Sequence, residues 1–559
     1  MNMKKYSIGI DFGTLSGRIL VVDAKDGTTA STVVIDYLHG VMSEYLDTGE
    51  KRIKLPDQWA LQDPSDYLDV LRIGIPQALK IANVQAKDVI GIGIDFTAST
   101  IMPLDHQMKP LCTQLKYKYN PHAYVKLWKH HAAQKQADCV TKVLRLKQPD
   151  MLKRYGGGIS SEWLIPKVVQ IIEDDPDVYR NTYRFIEAGD YVTYVLTGRE
   201  TRNSCAAGYK GLWHKKDGYP DQQILKSIHP ELENFVKDKL NRGIVNSVGT
   251  IAGKISESGS KLTGLVKGTP VAVATIDAHA AVIGASIADE GKMLMIMGTS
   301  TCHLFLTKEE KLIEGISGVV EDGIISGFFG YEAGQACVGD HFDWLVNHIV
   351  PDSYHKKAKQ LKMDIYHYLG MLAAQKAVGE TGLIALDWWN GVRSTLNDVN
   401  LTGMILGMNL NTKVEDIYRA LVEAIAFGTK IIVNQISETG IVIDTYYASG
   451  GISQKNALLM QTCSDVLNKE IHVIESKQAG ALGSAIFGSV VAGEVHGGYD
   501  NINDAVSHMS SDILHTFHPH VENAKKYESI FKVYQQLYTY FGHEDIMKKM
   551  INIKKTSLL

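Results

Sequence analysis

The chain has 559 residues, of which 45% are apolar, and a formal net charge of −4. It can therefore bury a large core, and its near-neutral charge argues against a nucleic-acid partner. The six cysteines form no C-x-x-C pair, which favours reduced thiols in a cytoplasmic protein. The first apolar strand begins close to Met1, and no apolar run approaches the roughly 20 residues of a membrane span, so we expect neither a signal peptide nor a membrane partner.

The first pattern in the chain predicts two apolar strands, residues 8–11 and 19–23, joined by a polar turn. Glycines in the turn are expected to adopt backbone conformations closed to other residues, so that successive N–H groups point at one anion. Arg18 adds a cation suited to phosphate, and Asp11 is placed to hold magnesium directly or through water. The alternative is an ordinary hairpin with a glycine-rich turn. The turn contains Gly13, Thr14, Ser16 and Gly17.

The segments that follow are typical of an α/β sheet. Residues 67–82 have helical periodicity, and residues 89–95 form the continuous apolar run expected of a buried parallel strand. The run ends in polar residues 96–100, and the carboxyl end of such a strand is the usual place for a ligand. Residues 121–144 and 166–173 are predicted to be helices, and residues 183–196 a strand followed by a helix. Residues 203–213 are predicted to be a loop or edge strand, and residues 271–275 a strand.

The second half of the chain repeats the opening pattern. Residues 293–306 again read as strand, turn and strand, with Gly298, Thr299, Ser300 and Thr301 in the turn. Repeated organisation is better evidence than either turn alone, so the sequence predicts two related lobes that hold one polyphosphate between them. We predict the division between the lobes at 1–288 and 289–559.

Asp277 follows an apolar strand and begins a predicted helix over 277–288. The residue pattern alone favours a helix N-cap. The alternative is a general base, because phosphoryl transfer to a hydroxyl needs a group that accepts the proton. The two roles are compatible, since a helix N-terminus is expected to keep the carboxylate ionised.

Gly450 and Gly451 end a predicted strand over 445–449. The simplest interpretation is a tight turn into the helix that follows. The functional alternative is that the missing side chains let a flat adenine ring lie against the backbone. Two long helices with apolar faces are predicted over 416–436 and 521–541.

The paired hairpins resemble those of the superfamily that contains sugar kinases, actin and heat-shock ATPases. Within it, residues 403–408 and 416–423 are similar to the signature of the FGGY family of carbohydrate kinases, and the resemblance runs from about residue 6 to about residue 493. It implies an α/β fold with two actin/hexokinase-like (ribonuclease H-like) lobes and a cleft between them. It also implies an enzyme that uses ATP with magnesium.

The resemblance also implies roles for single residues. Residues 276–281 match the family's catalytic aspartate segment, which makes Asp277 the base. With the two turns included, the residues expected to bind ATP are Gly13, Thr14, Arg18, Gly298, Thr299, Gly339, Asp343, Gly450 and Gly451. Those expected to bind the sugar are Ala98, Lys210, Asp277 and Glu332.

The acceptor is indicated by three segments, residues 11–18, 59–64 and 206–213, which are most similar to family members that act on L-ribulose. Leu61 and residues 96–100 lack polar groups that glycerol and xylulose kinases carry there. The resemblance therefore implies transfer of phosphate from ATP to O5 of L-ribulose, as in L-arabinose catabolism.

Two alternatives remain open for the function. One is a kinase for another ketopentose or a pentitol. The other, from a different class, is a chaperone-like or actin-like ATPase without a sugar acceptor, which has no evident need for the signature over 403–423 together with Asp277 and Lys210. A homo-oligomer is compatible with the sequence but is not indicated by it.

Overall fold

Two seven-stranded sheets carry the two predicted hairpins in the computed structural model, which describes residues 4–241, 244–475 and 478–557. The strands of the first half are β1 Tyr6–Phe12, β2 Ser16–Asp23, β3 Thr29–Asp36, β4 Tyr45–Asp47, β5 Arg52–Lys54, β6 Leu61–Gln62, β7 Val89–Phe96, β8 Ile101–Leu104, β9 Val125–Lys126, β10 Arg184–Glu187, β11 Arg202–Asn203, β12 Val245–Asn246, β13 Ile251–Lys254, β14 Pro270–Ala272 and β15 Thr275–Ile276. Its helices are α1 Pro64–Asp69, α2 Ile75–Ala82, α3 Gln134–Lys147, α4 Pro149–Lys153, α5 Leu164–Asp174, α6 Pro176–Asn181, α7 Ala188–Thr197, α8 Ser204–Gly211, α9 Gln222–Ile228, α10 Glu257–Thr263 and α11 Asp277–Gly284.

The second half has fewer strands and longer helices. Its strands are β16 Lys292–Met297, β17 Thr301–Thr307, β18 Gly318–Glu321, β19 Phe329–Gln335, β20 Ile384–Leu386, β21 Met404–Leu406, β22 Thr445–Ser449, β23 Ile471–Ile474 and β24 Ile513–Phe517. Its helices are α12 Gly339–His348, α13 Asp352–Gln360, α14 Ile365–Ala374, α15 Val414–Ser437, α16 Gly451–Lys455, α17 Ala457–Leu467, α18 Ala479–Ala492, α19 Ile502–Met509, α20 Val521–His543 and α21 Ile546–Ser557.

The two large sheets share one arrangement of strands. In the first sheet β1 pairs with β2 in antiparallel and with β7 in parallel orientation, and β3 extends the sheet beyond β2. In the second sheet β16 pairs in the same way with β17 and β22, and β19 extends the sheet beyond β17. This duplication confirms the predicted α/β fold of two actin/hexokinase-like lobes. The division at 288/289 stays a prediction.

Helix α18 belongs to the second half of the chain but packs on the first sheet. Its backbone approaches so closely that a Cβ on Gly9 would lie 1.7 Å from the carbonyl oxygen of Ala481, and one on Gly93 would lie 1.8 Å from that of Ser484. The strand glycines therefore make room for a helix. Helix α18 also packs on α11, the helix that begins at Asp277, so it joins the central strands and the helix of the candidate base in one packed layer.

Most predicted elements are confirmed, and two are wrong. Residues 203–213 form helix α8 rather than a loop or edge strand, and the Asn203 side chain accepts a hydrogen bond from the N–H of Ala206 at 2.6 Å. An N-capping asparagine is a sequence signal for such a helix. Within 121–144 the α-helix begins only at Gln134, and the part before it holds a 3-10 turn over Pro121–Ala123 and strand β9.

One helix among the described residues, α15, is long and apolar enough by length and composition to cross a membrane. The protein buries 72% of the most apolar window of this helix. A core helix of a folded domain passes the same test, so α15 carries no argument for a membrane.

Candidate active site

Three aspartates lie at the carboxyl ends of neighbouring parallel strands. Asp11 in β1 is opposite Asp95 in β7, and Asp95 is opposite Thr275 in β15, which leads into Asp277. The predicted metal residue and the predicted base therefore share one edge of the first sheet. Asp95, which is fully buried, was not among the predicted site residues, although its position at the end of the apolar run signalled it.

Asp277 is the first residue of α11, and the N-cap is Ile276. The Oδ1 atom of Asp277 accepts a hydrogen bond of 2.6 Å from the N–H of Ala278. Desolvation, and then the charge of Asp11, raise the pKa of Asp277 to about 7. Burial therefore opposes the ionisation that the helix N-terminus is expected to favour. A pKa near neutrality suits a group that takes up a proton.

The Asp11–Asp95 pair is a suitable donor set for magnesium. The Oδ2 atom of Asp95 accepts a hydrogen bond from Ser484 Oγ at 2.6 Å, whereas no N–H or hydroxyl group in the described parts of the chain donates to its buried Oδ1 atom. Asp11 accepts a hydrogen bond of 2.8 Å from Arg18 Nη1. Among the described residues no group of three or more His, Cys, Asp or Glu side chains is arranged for a metal. Magnesium needs only one or two carboxylates when phosphates supply the other oxygens.

Lys210 and Glu332 form an ion pair between helix α8 of the first half and strand β19 of the second. Lys210 Nζ lies 2.9 Å from Glu332 Oε2, and the two side chains are 12% and 13% exposed. Desolvation alone would raise the pKa of Glu332, but Lys210, His279 and Arg393 together lower it to about 2. The glutamate is therefore an ionised acceptor beside an ammonium donor, which is the combination that polyol hydroxyls require.

Ala98 lies in the loop after β7, and buried groups position this loop. The fully buried Lys167 donates hydrogen bonds from Nζ to the carbonyl oxygens of Ser99 at 2.7 Å and Leu127 at 2.8 Å. The indole N–H of Trp128 donates to Thr14 Oγ1 at 3.2 Å. Lys167 thus connects the loop that carries Ala98 to the segment before Trp128, and Trp128 connects that segment to the first turn. Sequence reasoning missed both Lys167 and Trp128.

A cavity of about 1440 Å³ in the second half brings together five of the residues predicted to bind ATP. They are Gly298, Thr299, Gly339, Asp343 and Gly451. A Cβ on Gly451 would meet no atom within 4 Å, so this residue opens the cavity wall. Gly450 has a φ of +93°, and a Cβ there would lie 2.4 Å from the carbonyl oxygen of Met297. The first turn, with Gly13, Thr14 and Arg18, is not part of this cavity's lining.

The two turns do not use glycine in the predicted way. Gly13 and Gly17 have no left-handed φ, so the expectation that they adopt conformations closed to other residues is wrong, and Gly298 in the second turn has none either. The N–H groups of Gly13 and Gly298 donate across their own turns at 2.9 Å, to the carbonyl oxygens of Ser16 and Ser300. Donors for a phosphate must therefore come from residues inside the turns, such as Thr14 and Thr299.

Replacing Gly298 with valine is expected to weaken ATP binding and leave the fold intact. A Cβ at this position would be 3.8 Å from its nearest neighbour, Ser300 O, so the new side chain fits the protein but enters the space in front of the turn. Calorimetry should show a loss of ATP affinity that grows from Gly298→Ala to Gly298→Val, with sugar affinity preserved. Unchanged ATP affinity in both variants would contradict a role of this turn in phosphate binding.

Comparison with known proteins agrees with the architecture. The family models for the N-terminal and C-terminal domains of the FGGY family of carbohydrate kinases match residues 6–284 and 293–492. Ribulokinase from Bacillus licheniformis is 49% identical over 546 residues, which cover 98% of each chain. Ribulokinase from Staphylococcus aureus is 39% identical and covers 98% of this chain and 99% of its own.

Solved structures of sugar kinases have the same fold. Xylulose kinase from Rhodospirillum rubrum matches with a TM-score of 0.79 at 19% identity, covering 97% of this chain and 100% of its own. Glycerol kinase from Plasmodium falciparum, solved with ADP, matches with a TM-score of 0.73 at 18% identity, covering 96% and 98%. Fold and site together define a two-lobed phosphotransferase. The chain belongs to the FGGY family of carbohydrate kinases.

Proposed function

We propose that this chain transfers the γ-phosphate of ATP to the terminal hydroxyl of L-ribulose, forming L-ribulose 5-phosphate in L-arabinose catabolism. The observation that carries the proposal is the partly buried Lys210–Glu332 pair, whose charges act on Asp277. The curated relatives that match nearly the full chain are ribulokinases. The proposed compartment is the cytoplasm.

The sugar is recognised at the end of the site where the two halves meet. Glu332 accepts a hydrogen bond from one hydroxyl and Lys210 donates one to another. A site whose polar groups are partly buried discriminates against ligands that leave those groups unpaired. Leu61, which in this chain stands where other family members carry a polar residue, is fully buried in the core and offers no polar contact.

Asp277 acts as the base in the proposed reaction. As the sugar oxygen attacks the γ-phosphorus, a new O–P bond forms, the bond to the β,γ-bridging oxygen breaks, and the hydroxyl proton passes to the carboxylate of Asp277. Asp11, with Asp95 behind it, would hold magnesium. When bound, magnesium neutralises phosphate charge. Gly298 and Thr299 orient the phosphates, and Gly450 and Gly451 leave room for the adenosine.

A coupled ADP-release assay across pentuloses, pentitols and glycerol tests the proposal. We expect L-ribulose to give the highest kcat/KM, other ketopentoses and their polyols to follow, and glycerol to stay near background. A higher kcat/KM for D-xylulose or glycerol would overturn the assigned acceptor but not the kinase. ATP turnover that no sugar stimulates would favour the ATPase alternative instead.

A further inference from the structure

Arg393 lies between the second hairpin and the sugar end of the site, and none of the predicted roles included it. Its Nη1 atom is 4.0 Å from Cys302 Sγ in β17. The same atom would be 3.3 Å from a Cβ on Gly334 in β19. The guanidinium therefore occupies the space that a glycine leaves free between two adjacent strands.

The loop that carries Arg393 is fixed to β19. The N–H of Ser394 donates to the carbonyl oxygen of Gly334 at 3.1 Å, and the N–H of Gly334 donates to Ser394 Oγ at 3.2 Å. Val392 pairs with Asp398 by two further backbone hydrogen bonds of 2.9 Å. Both neighbours of Arg393 are thus anchored, which holds the start of its side chain in one place.

The charge of Arg393 has no carboxylate partner in the described parts of the chain, where no acidic oxygen lies within 4.0 Å of its nitrogens. Glu332 already pairs with Lys210 at 2.9 Å, and Glu162 acts on Arg393 only at longer range. The thiol of Cys302 is a weak acceptor. A guanidinium has five N–H donors, so most of this group's donors are available to a ligand.

Arg393 lies between two groups of residues to which the proposed reaction gives different roles. Cys302 follows the turn that contains Gly298 and Thr299, and Glu332 lies two residues before Gly334 on β19. The guanidinium is therefore flanked by the turn assigned to the ATP phosphates and by the pair assigned to the sugar. During transfer, negative charge is spread over the three equatorial oxygens of the phosphoryl group, and a fixed cationic fork stabilises that charge.

We propose that Arg393 is a further catalytic residue, which binds the phosphoryl group while it passes from ATP to the sugar. The proposal rests on the proposed kinase reaction. Arg393 gives up no proton, because a guanidinium stays charged. It donates hydrogen bonds to the phosphoryl oxygens while the old O–P bond breaks and the new one forms.

Two variants and a control test this role. Arg393→Met removes the charge at similar length, and Arg393→Lys keeps the charge but loses the fork. Arg154→Met removes a cation elsewhere, which pairs with Glu310 at 2.9 Å. We expect Arg393→Met to lower kcat by about 10²–10³-fold, the usual cost of losing one transition-state donor. Both KM values should stay within about threefold, Arg393→Lys should recover part of the rate, and Arg154→Met should keep the wild-type kcat.

A second measurement separates catalysis from structure. Binding of ADP with aluminium fluoride in the presence of sugar, which mimics the planar phosphoryl group, should weaken in Arg393→Met in parallel with kcat, while binding of ATP alone and the melting temperature stay close to wild type. A raised sugar KM with unchanged kcat would overturn the proposal and make Arg393 a sugar ligand. Unchanged kinetics would also overturn the proposal and leave Arg393 with a structural role in its loop. If Arg393→Met fails to fold, Arg393→Lys decides the test. Wild-type kcat and wild-type binding of ADP with aluminium fluoride in that variant would overturn the proposal.

These outcomes are distinct from failure of the proposed function. Wild-type protein without ribulose-dependent ADP release would reject the reaction itself. If the wild-type protein is active and the Arg393 variants have the same turnover, only the inference about Arg393 is rejected.

Discussion

Replacing Asp277 with asparagine is expected to lower kcat by roughly 10²–10⁴-fold, the usual contribution of a general base. The amide has the size of the carboxylate but cannot accept the hydroxyl proton, so the chemical step suffers most. ATP affinity should change little, because the residues predicted to bind ATP that line the large cavity lie in the second half of the chain. The coupled assay measures the rate, and calorimetry measures the affinity.

The pH profile provides the control for this variant. Since the base must be unprotonated to act, kcat/KM for the sugar should fall as the pH drops through the pKa of Asp277, which is about 7. The fall should be absent from the residual activity of Asp277→Asn. Near-wild-type turnover in the variant would reduce Asp277 to a structural role at the start of α11.

Replacing Lys210 with methionine is expected to raise the KM for L-ribulose by about 10²-fold and the KM for ATP by less than about threefold. The variant loses a charged hydrogen-bond donor and leaves Glu332 without its partner at 2.9 Å. Hydrogen bonds to charged groups contribute about 1.5–3 kcal/mol each, and an unpaired buried charge adds to the cost. Steady-state kinetics with each substrate varied in turn measure both constants.

Lys215→Met is a matched control for Lys210. Lys215 also joins the two halves, through Glu321 at 2.8 Å and Asp322 at 2.7 Å, but it is 41% exposed and lies outside the site. We expect this variant to leave both KM values unchanged. Equal increases in the two KM values for Lys210→Met would show a general effect on closure of the cleft between the lobes instead of a contact between Lys210 and the sugar.

The sequence by itself determined the features that depend on neighbouring residues. Local patterns of hydrophobicity and turn chemistry specify the secondary structure of a segment. Such patterns mark the apolar strands around the turns at 13–16 and 298–301 and the apolar run that ends at Asp95. The duplication of the hairpin and the signature near 403–423 were sufficient for the family and the two-lobed fold. The Asn203 cap was equally local, and helix α8 was missed because its signal was overlooked.

Only the tertiary structure decided which residues meet and what charge they carry. Lys210 and Glu332 are 122 positions apart in sequence, and the loop that brings Arg393 to β17 and β19 has no sequence pattern of its own. The pKa of Asp277 depends on desolvation and on the charge of Asp11, which are properties of the folded environment. The glycines of β1 and β7 likewise allow the close approach of helix α18, and no local pattern records which distant backbone will pack against a strand.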